Sequence, residues 1–425
     1  MALVSAGSNA QGQLATGNCE DAHAFMRCRF DGCDVEGLPE GTTKVIQLAF
    51  GANHTLLLLD RIQGSSSALT RELWGSGDGS KYQLGPSVQT SVQKFVPLSL
   101  PLEELGLQGY SVSRVAACWE TSYVVLEHDT LGDVLLSMGT DDFGDLGIGG
   151  CGKDDTRRVH RVEFGAACLG ADAPVRVHIA SLATGAHHVI VQLSLESSDM
   201  STQTKLVGWG TARHGQLGDL QNPQTGRPLP FVDSPRVVPL PVTNSVVEMA
   251  LGNQHTVVLV SSGRIAASGS NRRGQLSGLA ALSNISAISC TWNGSYAVSQ
   301  RDGVWSLLSV GSAHKGQLGR RASDTDTDTH APGAVVFPFS TATHAFIKFA
   351  CGSEHVLCLF ERRAAGPHHA RREVWAWGWN EHGTLGDGST DDRELPIQVW
   401  PPDDHAPDAV DVAAGCGNSW IVTAS

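Results

Sequence analysis

No apolar stretch of about 18 residues occurs in this 425-residue chain, so no segment is expected to cross a bilayer as a helix. The start carries no charged segment leading into an apolar one, and a secretory leader is not expected. Ten cysteines are present, but Cys-x-x-Cys pairs are missing and Cys118, Cys290, Cys351, Cys358 and Cys416 sit singly. That usage points to a reduced intracellular compartment, cytoplasmic and nuclear. Basic clusters are missing too. The 30 Lys and Arg are outnumbered by 43 Asp and Glu, for a formal charge of −13, and the Arg pairs at 272–273, 320–321, 362–363 and 371–372 are scattered. Nucleic acid is therefore not expected as the main partner, because phosphate binding needs clustered cations.

Signs of catalysis are equally sparse. No Ser-His-Asp set or convergent carboxylate pair stands out, and the chain is read as a non-enzyme. Two glycine-rich stretches, Gly75-Ser-Gly77-Asp-Gly79 and Gly147-Ile-Gly149-Gly-Cys-Gly152, lack the Lys-Ser/Thr ending and following helix of a phosphate loop, so they are read as turns. The Asp324-Thr-Asp326-Thr-Asp328 run is too poor in glycine for a calcium loop of the EF-hand kind. With Asp141-Asp142, Asp391-Asp392 and Asp403-Asp404 it reads as solvated loop charge or a dock for a basic partner.

What the chain has in quantity is glycine, 48 residues, in a repeating pattern. Gly210-Thr-Ala-Arg-His-Gly215-Gln-Leu217-Gly218, Gly311-Ser-Ala-His-Lys-Gly316-Gln-Leu318-Gly319 and Gly378-Trp-Asn-Glu-His-Gly383-Thr-Leu385-Gly386 are its clearest copies. Others begin at Gly7, Gly75, Gly139 and Gly269. A unit recurring at such spacing means stacked supersecondary units. Between copies lie short Val, Ile and Leu runs that meet at a tight turn, as in Val45-Ile-Gln-Leu-Ala-Phe-Gly51-Ala-Asn-His54-Thr-Leu-Leu-Leu-Leu59. These read as buried strands joined by hairpins, four per unit. Seven such units predict an all-β fold, a single seven-bladed β-propeller over 1–425. The chain opens on a third strand at Ala2 and ends on a first and second strand at 410–425, so N- and C-terminal strands are expected to close one blade together.

Aligning the tight turns puts His54, Thr121, His188, His255, Gly294, His355 and Asn418 at equivalent places. Equivalent positions on separate blades lie too far apart for one zinc, so neither a metal nor a cofactor is expected, and the histidines are read as structural groups bonding turn backbone. In the second and fifth repeats, where the histidine is missing, a tryptophan stands two places earlier, in Cys118-Trp119-Glu120-Thr121-Ser and Cys290-Thr-Trp292-Asn-Gly294-Ser. Indoles on one face suggest a contact patch. Trp379, Glu381, His382 and Trp420 add to it, making Trp119, Glu120, Trp292, Trp379, Glu381, His382 and Trp420 the expected partner-binding residues.

The repeat grammar, Gly-Gln-Leu-Gly turns alternating with Ala-x-Gly-x-x-His-Thr turns, resembles the regulator-of-chromosome-condensation family. Within it, Trp119-Glu-Thr-Ser122, Cys290-Thr-Trp292, Trp377-Gly-Trp379-Asn-Glu381-His382-Gly383 and Gly415-Cys416-Gly-Asn-Ser-Trp420-Ile-Val422 are similar to the fungal alpha-tubulin suppressor or killer-toxin-insensitive type. That resemblance implies a non-catalytic protein bound to a small Cys-rich metal (iron or zinc) electron carrier, supporting diphthamide formation on elongation factor 2 and Elongator-dependent wobble-uridine modification of tRNA. The alternative is guanine-nucleotide exchange on a small GTPase, which better-known relatives carry out without a catalytic side chain. Tubulin or a ubiquitin ligase stay open as further clients.

Overall fold

The computed structural model describes residues 1–33, 37–62, 68–150, 158–169, 176–197, 201–240, 245–321, 328–363 and 370–424. The acidic run at 324–327 and the glycine-rich stretch beyond 150 lie outside them. Two compact units divide the chain: one of Gln11–Ala15 and Pro39–Leu240, the other of Met1–Ala10, Thr16–Leu38 and Pro241–Ser425.

The first holds three antiparallel sheets, here blades 1 to 3. Blade 1 is Thr42–Phe50, His54–Ile62, Leu69–Gly77 and Val92–Pro97, and blade 2 is Ser111–Ala117, Thr121–Glu127, Val134–Gly139 and a short His160–Arg161. Blade 3 is Arg176–Thr184, His188–Glu196, Thr202–Thr211 and Phe231–Val237. Second strands read as unbroken apolar runs because both faces of the sheet are covered. In Thr121–Glu127, Val124 and Leu126 join a cluster with Leu56, Leu58 and Leu136, whereas Tyr123 and Val125 join one with Val189, Val191 and Trp209. The period-2 alternation of a strand thus feeds two cores from one segment.

The second unit holds blades 4 to 7. Blade 5 is Ile285–Cys290, Gly294–Arg301, Val304–Ser312 and Asp328–Ala334, and blade 6 is His344–Cys351, His355–Arg362, Arg371–Gly378 and Arg393–Trp400. Blade 7 joins both chain ends: Ala409–Ala414 and Asn418–Thr423, then Ala2–Gly7 and Ala22–Arg27. Ala2 pairs with Thr423 and Gly7 with Asn418, so the two ends share a blade as expected from the sequence. Blade 4 departs from expectation. Val246–Leu251, His255–Val260 and Ile265–Gly269 form a three-stranded sheet with no fourth strand among the described residues. Its repeat is too short to supply one, because residues 270–284, with a 3-10 turn at Leu279–Ala281, already lead to blade 5.

One signature start also shifts. Every copy opens on a glycine opposite the tight-turn residue, and His54 faces Gly77, not Gly75. Gly77 has φ +92°, whereas Gly75 lies in the strand, with Leu84 and Leu98 filling the space a Cβ would need. Five residues on, where other copies have glycine, Tyr82 takes φ +65°. The Gly-x-Gly-x-Gly run at 75–79 offered three registers, and hairpin pairing selects the middle one. Regular helix among the described residues amounts to Ala166–Leu169 and the 3-10 turn.

Candidate functional site

All seven tight turns share one backbone closure. The N–H of Gly51 bonds the carbonyl of His54 at 2.9 Å, and Cys118, Gly185, Gly252, Thr291, Gly352 and Gly415 repeat the bond three residues ahead at 2.8–3.0 Å. The next residue ties turn to turn. In the first unit the Ala52 N–H donates to Trp119 O and the Trp119 N–H to Ala186 O. In the second, Asn253 donates to Trp292 O, Trp292 to Ser353 O, and Ser353 to Gly415 O. Trp119 and Trp292, two of the four tryptophans expected as contacts, are therefore each fixed by two backbone bonds, which limits the entropy lost when a partner covers them.

The turn histidines are buried, and the His54 and His255 rings lie over the glycine of their own turn with Nε2 toward the following blade. His54 Nε2 lies 2.8 Å from the Ser122 hydroxyl and His255 Nε2 3.0 Å from that of Ser295, in each case on the following blade. Burial lowers the pKa of His54, His255 and His355 to about 4, because an imidazolium there would be stripped of water. Their rings lie across Gly51, Gly252 and Gly352 and leave no room for a Cβ. That crowding explains the Gly-x-x-His spacing.

Trp119 is 37% exposed. Its indole leans on His187, ring centroids 5.9 Å apart, and Phe143, 42% exposed, meets the same imidazole edge-on at 4.8 Å. His187 Nδ1 lies 3.5 Å from Asp145 Oδ1. Burial pushes Asp141 up to about 6, and Asp145, Asp233 and Asp142 add repulsion while the Leu146 N–H opposes the shift. Glu120 sits in the same turn, its carbonyl accepting the Thr140 N–H at 3.1 Å. The first unit thus carries an aromatic row, Trp119-His187-Phe143, flanked by acids. His187 and Phe143 were not expected as site residues; the doubled histidine of Gly185-Ala-His187-His188 was the available signal.

In the second unit Trp292 and Trp379 meet around one turn. Ser353 O accepts the Trp292 N–H, and Glu354 O accepts the Trp379 N–H at 2.9 Å. The Glu354 carboxylate receives amide N–H groups from Asn293 at 2.5 Å and Gln317 at 2.8 Å. Burial pushes its pKa up to about 7, with Asn293, Gln317 and Arg273 opposing. Trp379 Nε1 donates to Glu381 Oε2 at 3.2 Å, His382 stands edge-on at 5.4 Å, and His382 Nδ1 lies 2.8 Å from Asp21 Oδ2. Trp379, Glu381 and His382 therefore form one group, as the sequence suggested, with Asp21 as an unforeseen member.

Trp420 does not belong to a contact surface. It is fully buried, with Nε1 donating to Asn418 Oδ1 at 2.8 Å. The reason is shared with Tyr123 and Tyr296: in the three blades without a turn histidine, an aromatic two places on occupies the interior. Tyr123 Oη and Trp209 Nε1 both bond Asp145 O, at 2.5 and 2.8 Å. Tyr296 Oη and Trp377 Nε1 both bond Gln317 O, at 2.6 and 2.8 Å. Part of the acidic loop charge is structural as well, since Asp141 Oδ1 accepts the Leu146 N–H and Asp392 Oδ1 the Asn380 N–H. Asn380 is buried and accepts the Leu385 N–H through Oδ1.

Among the described residues no three His, Cys, Asp or Glu side chains gather as metal ligands. Burial pushes the Cys28, Cys290 and Cys416 thiols up to about 12, so these side chains act as small apolar groups.

Comparison with known proteins agrees with this construction. The model of the regulator of chromosome condensation (RCC1) repeat matches residues 205–259, 306–359 and 373–422. A secretion-regulating guanine nucleotide exchange factor of Bos taurus is 26% identical over 94% of this chain and 78% of its own length. The crystal structure of human WBSCR16 superposes with TM-score 0.70 at 18% identity, covering 100% of this chain and 99% of that one. Prp20p of Saccharomyces cerevisiae, described with its binding to Gsp1p and histones, gives 0.67 at 18% over 100% and 92%. The fold is a seven-bladed all-β propeller, and residues 205–259, 306–359 and 373–422 carry the regulator of chromosome condensation repeat.

Proposed function

We propose that this propeller is a regulatory binding protein that promotes guanine-nucleotide exchange on a small GTPase. The observation that carries the reading is the likeness, along nearly the whole chain, to a protein named as an exchange factor. The surface is of a suitable kind: Trp119 and Phe143 supply exposed aromatic area, and Glu120, Asp141 and Asp142 supply negative charge for a basic partner. Exchange needs no catalytic side chain. A protein that binds the nucleotide-free GTPase more tightly than the loaded form weakens the nucleotide by the same factor, by linkage.

The likenesses above favour this reading over the Cys-rich electron carrier of the diphthamide and Elongator pathways, which rests on the turn motifs alone. The two separate in one experiment. Release of a fluorescent GDP analogue is followed from a panel of purified small GTPases with wild-type protein and with Trp119→Ala, Phe143→Ala. Acceleration for at least one GTPase, reduced roughly tenfold or more by the double variant at unchanged melting temperature, is expected for loss of two aromatic anchors. Release untouched across the panel, with a small Cys-rich iron or zinc protein recovered from extract, would overturn the exchange reading.

A further inference from the structure

Six of the seven blades protect the outer side of their third strand in the same way. Five carbonyls, of Leu3, Leu73, Leu135, Leu206 and Leu307, accept an N–H from the chain at the end of the outer strand at 2.8–2.9 Å, and in blade 6 Val374 pairs with Trp400. Two residues further on, Ser5, Gly75, Ser137, Gly208, Ser309 and Ala376 are all buried. In blade 4 the equivalent carbonyl, of Ile265, meets no donor among the described residues, and the equivalent of the buried position, Ala267, is exposed. Ser268 Oγ is buried without a partner among the described residues. The signature leucine is almost fully buried in the other copies, but Leu276 is only half-buried. Alternate residues of a strand turn their N–H and C=O to the same side, so Ile265, Ala267 and Gly269 present a ladder with no main-chain partner among the described residues; the Leu279–Ala281 turn lies beside the strand, with Arg264 Nη2 donating to Ala280 O at 3.0 Å.

Charge around this edge runs against the rest of the chain. Between Glu248 and Asp302 there is no acidic residue, while Arg264 stands at one end of the strand and Arg272 and Arg273 at the other, all exposed. In a protein of formal charge −13 this is a local basic frame. Antiparallel pairing with a second copy would set Arg264 against Arg272 and Arg273 of the other chain, which disfavours it. An extended segment with acidic ends meets both the ladder and the frame.

We propose that the outer edge of blade 4, Ile265–Gly269, is a docking site that takes an extended acidic segment of a partner protein as its fourth strand. Main-chain bonds supply the binding energy, and Arg264, Arg272 and Arg273 supply the preference for acid-flanked sequences. The site is independent of the exchange surface and does not require that reading.

Two measurements test it. Hydrogen exchange on the free protein is expected to show the Ile265, Ala267 and Gly269 amides exchanging fast beside protected neighbours in His255–Val260. Protection of these three in the free monomer would mean the ladder is already occupied and would overturn the proposal. A phage-displayed library of nine-residue peptides panned on the protein is expected to enrich acidic, proline-free sequences that slow those amides. Ala267→Pro removes one outward N–H at an edge where proline is tolerated, and is expected to weaken the selected peptides roughly tenfold or more without lowering the melting temperature. Arg272→Glu with Arg273→Glu is expected to shift selection toward basic sequences. Failure to enrich any sequence, enriched peptides indifferent to Ala267→Pro, or a wild-type dimer that Ala267→Pro dissolves would each refute the acidic partner segment.

Discussion

Blades 1 and 2 build the same turn on the same backbone bond and fill its interior differently. In blade 1 the His54 ring folds over Gly51 and reaches Ser122 on the next blade. In blade 2 the histidine position is Thr121, the glycine position is Cys118, and Tyr123 fills the interior and bonds Asp145 O. Blades 4 and 6 follow blade 1, and blade 5 follows blade 2 with Thr291 and Tyr296. The turn itself accepts Cys118 and Thr291 at that position, so in blades 1, 4 and 6 it is the imidazole that excludes a Cβ. Only the histidine solution places an imidazole in the interior, where burial lowers its pKa to about 4, and the turn without it carries the exposed tryptophan.

The largest expected separation between the two solutions comes from acid. His54, His255 and His355 have folded pKa values of about 4 against an ordinary 6.5, so the unfolded chain binds more protons in that window and stability falls as pH drops through it. Each contributes on the order of 3 kcal/mol by pH 4. Glu354, raised to about 7, works in the opposite sense, since its folded form holds its proton between 4.5 and 7. Asp141, raised to about 6, works in the same sense as Glu354, and three histidines against these two carboxyls predict a net loss, read as a fall in urea midpoint from pH 6.5 to 4. A midpoint flat across that range would sink the assignment.

Truncation comes next. Tyr296→Ala removes a fully buried ring and its bond to Gln317 O, and is expected to lower unfolding free energy by about 3–5 kcal/mol in urea denaturation, equally at pH 5 and pH 8. Smaller is the glycine test. Gly252→Ala drives a Cβ into the His255 ring and Thr291 O and should destabilise by roughly 1–3 kcal/mol, whereas Cys118→Ala, at the same turn position without a histidine above it, should cost less. Equal penalties at the two sites would remove the steric reason for the glycine. Smallest is Tyr123→Phe, which keeps the ring and deletes the hydroxyl bonded to Asp145 O, for a loss of about 1 kcal/mol by thermal melting.

Much of the fold was legible because its constraints are local. The signature glycines take φ between +92° and +124°, a region side chains avoid, and they recur wherever a third strand leaves its hairpin. The closing blade was legible from strand order alone. Blade 4 was misjudged because the signature marks the first three strands and says nothing about the fourth; the short 269–311 interval was the warning. Candidate site residues were legible where the grouping is local, as in Trp379, Glu381 and His382. His187 and Phe143 beside Trp119, and Asp21 beside His382, are brought together only by pairing across the sequence. Trp420 was misread for the same reason: an indole near a turn looks like a contact until the missing histidine shows what volume it fills.

The pairing of Ala2–Gly7 with Asn418–Thr423 also imposes an order in time. Ala2–Gly7 can form its outer hairpin with Ala22–Arg27 early, but its inner neighbour is made much later; Thr423 and Ala2, bonded through Thr423 Oγ1, are 421 residues apart. Until then Leu3 and Val4 lack the Val422 and Ile421 they pair with, and a strand edge stays open. Blade 7 can therefore be completed only once Asn418–Thr423 has emerged from the ribosome, and the nascent chain must be kept from pairing that edge with another chain in the meantime.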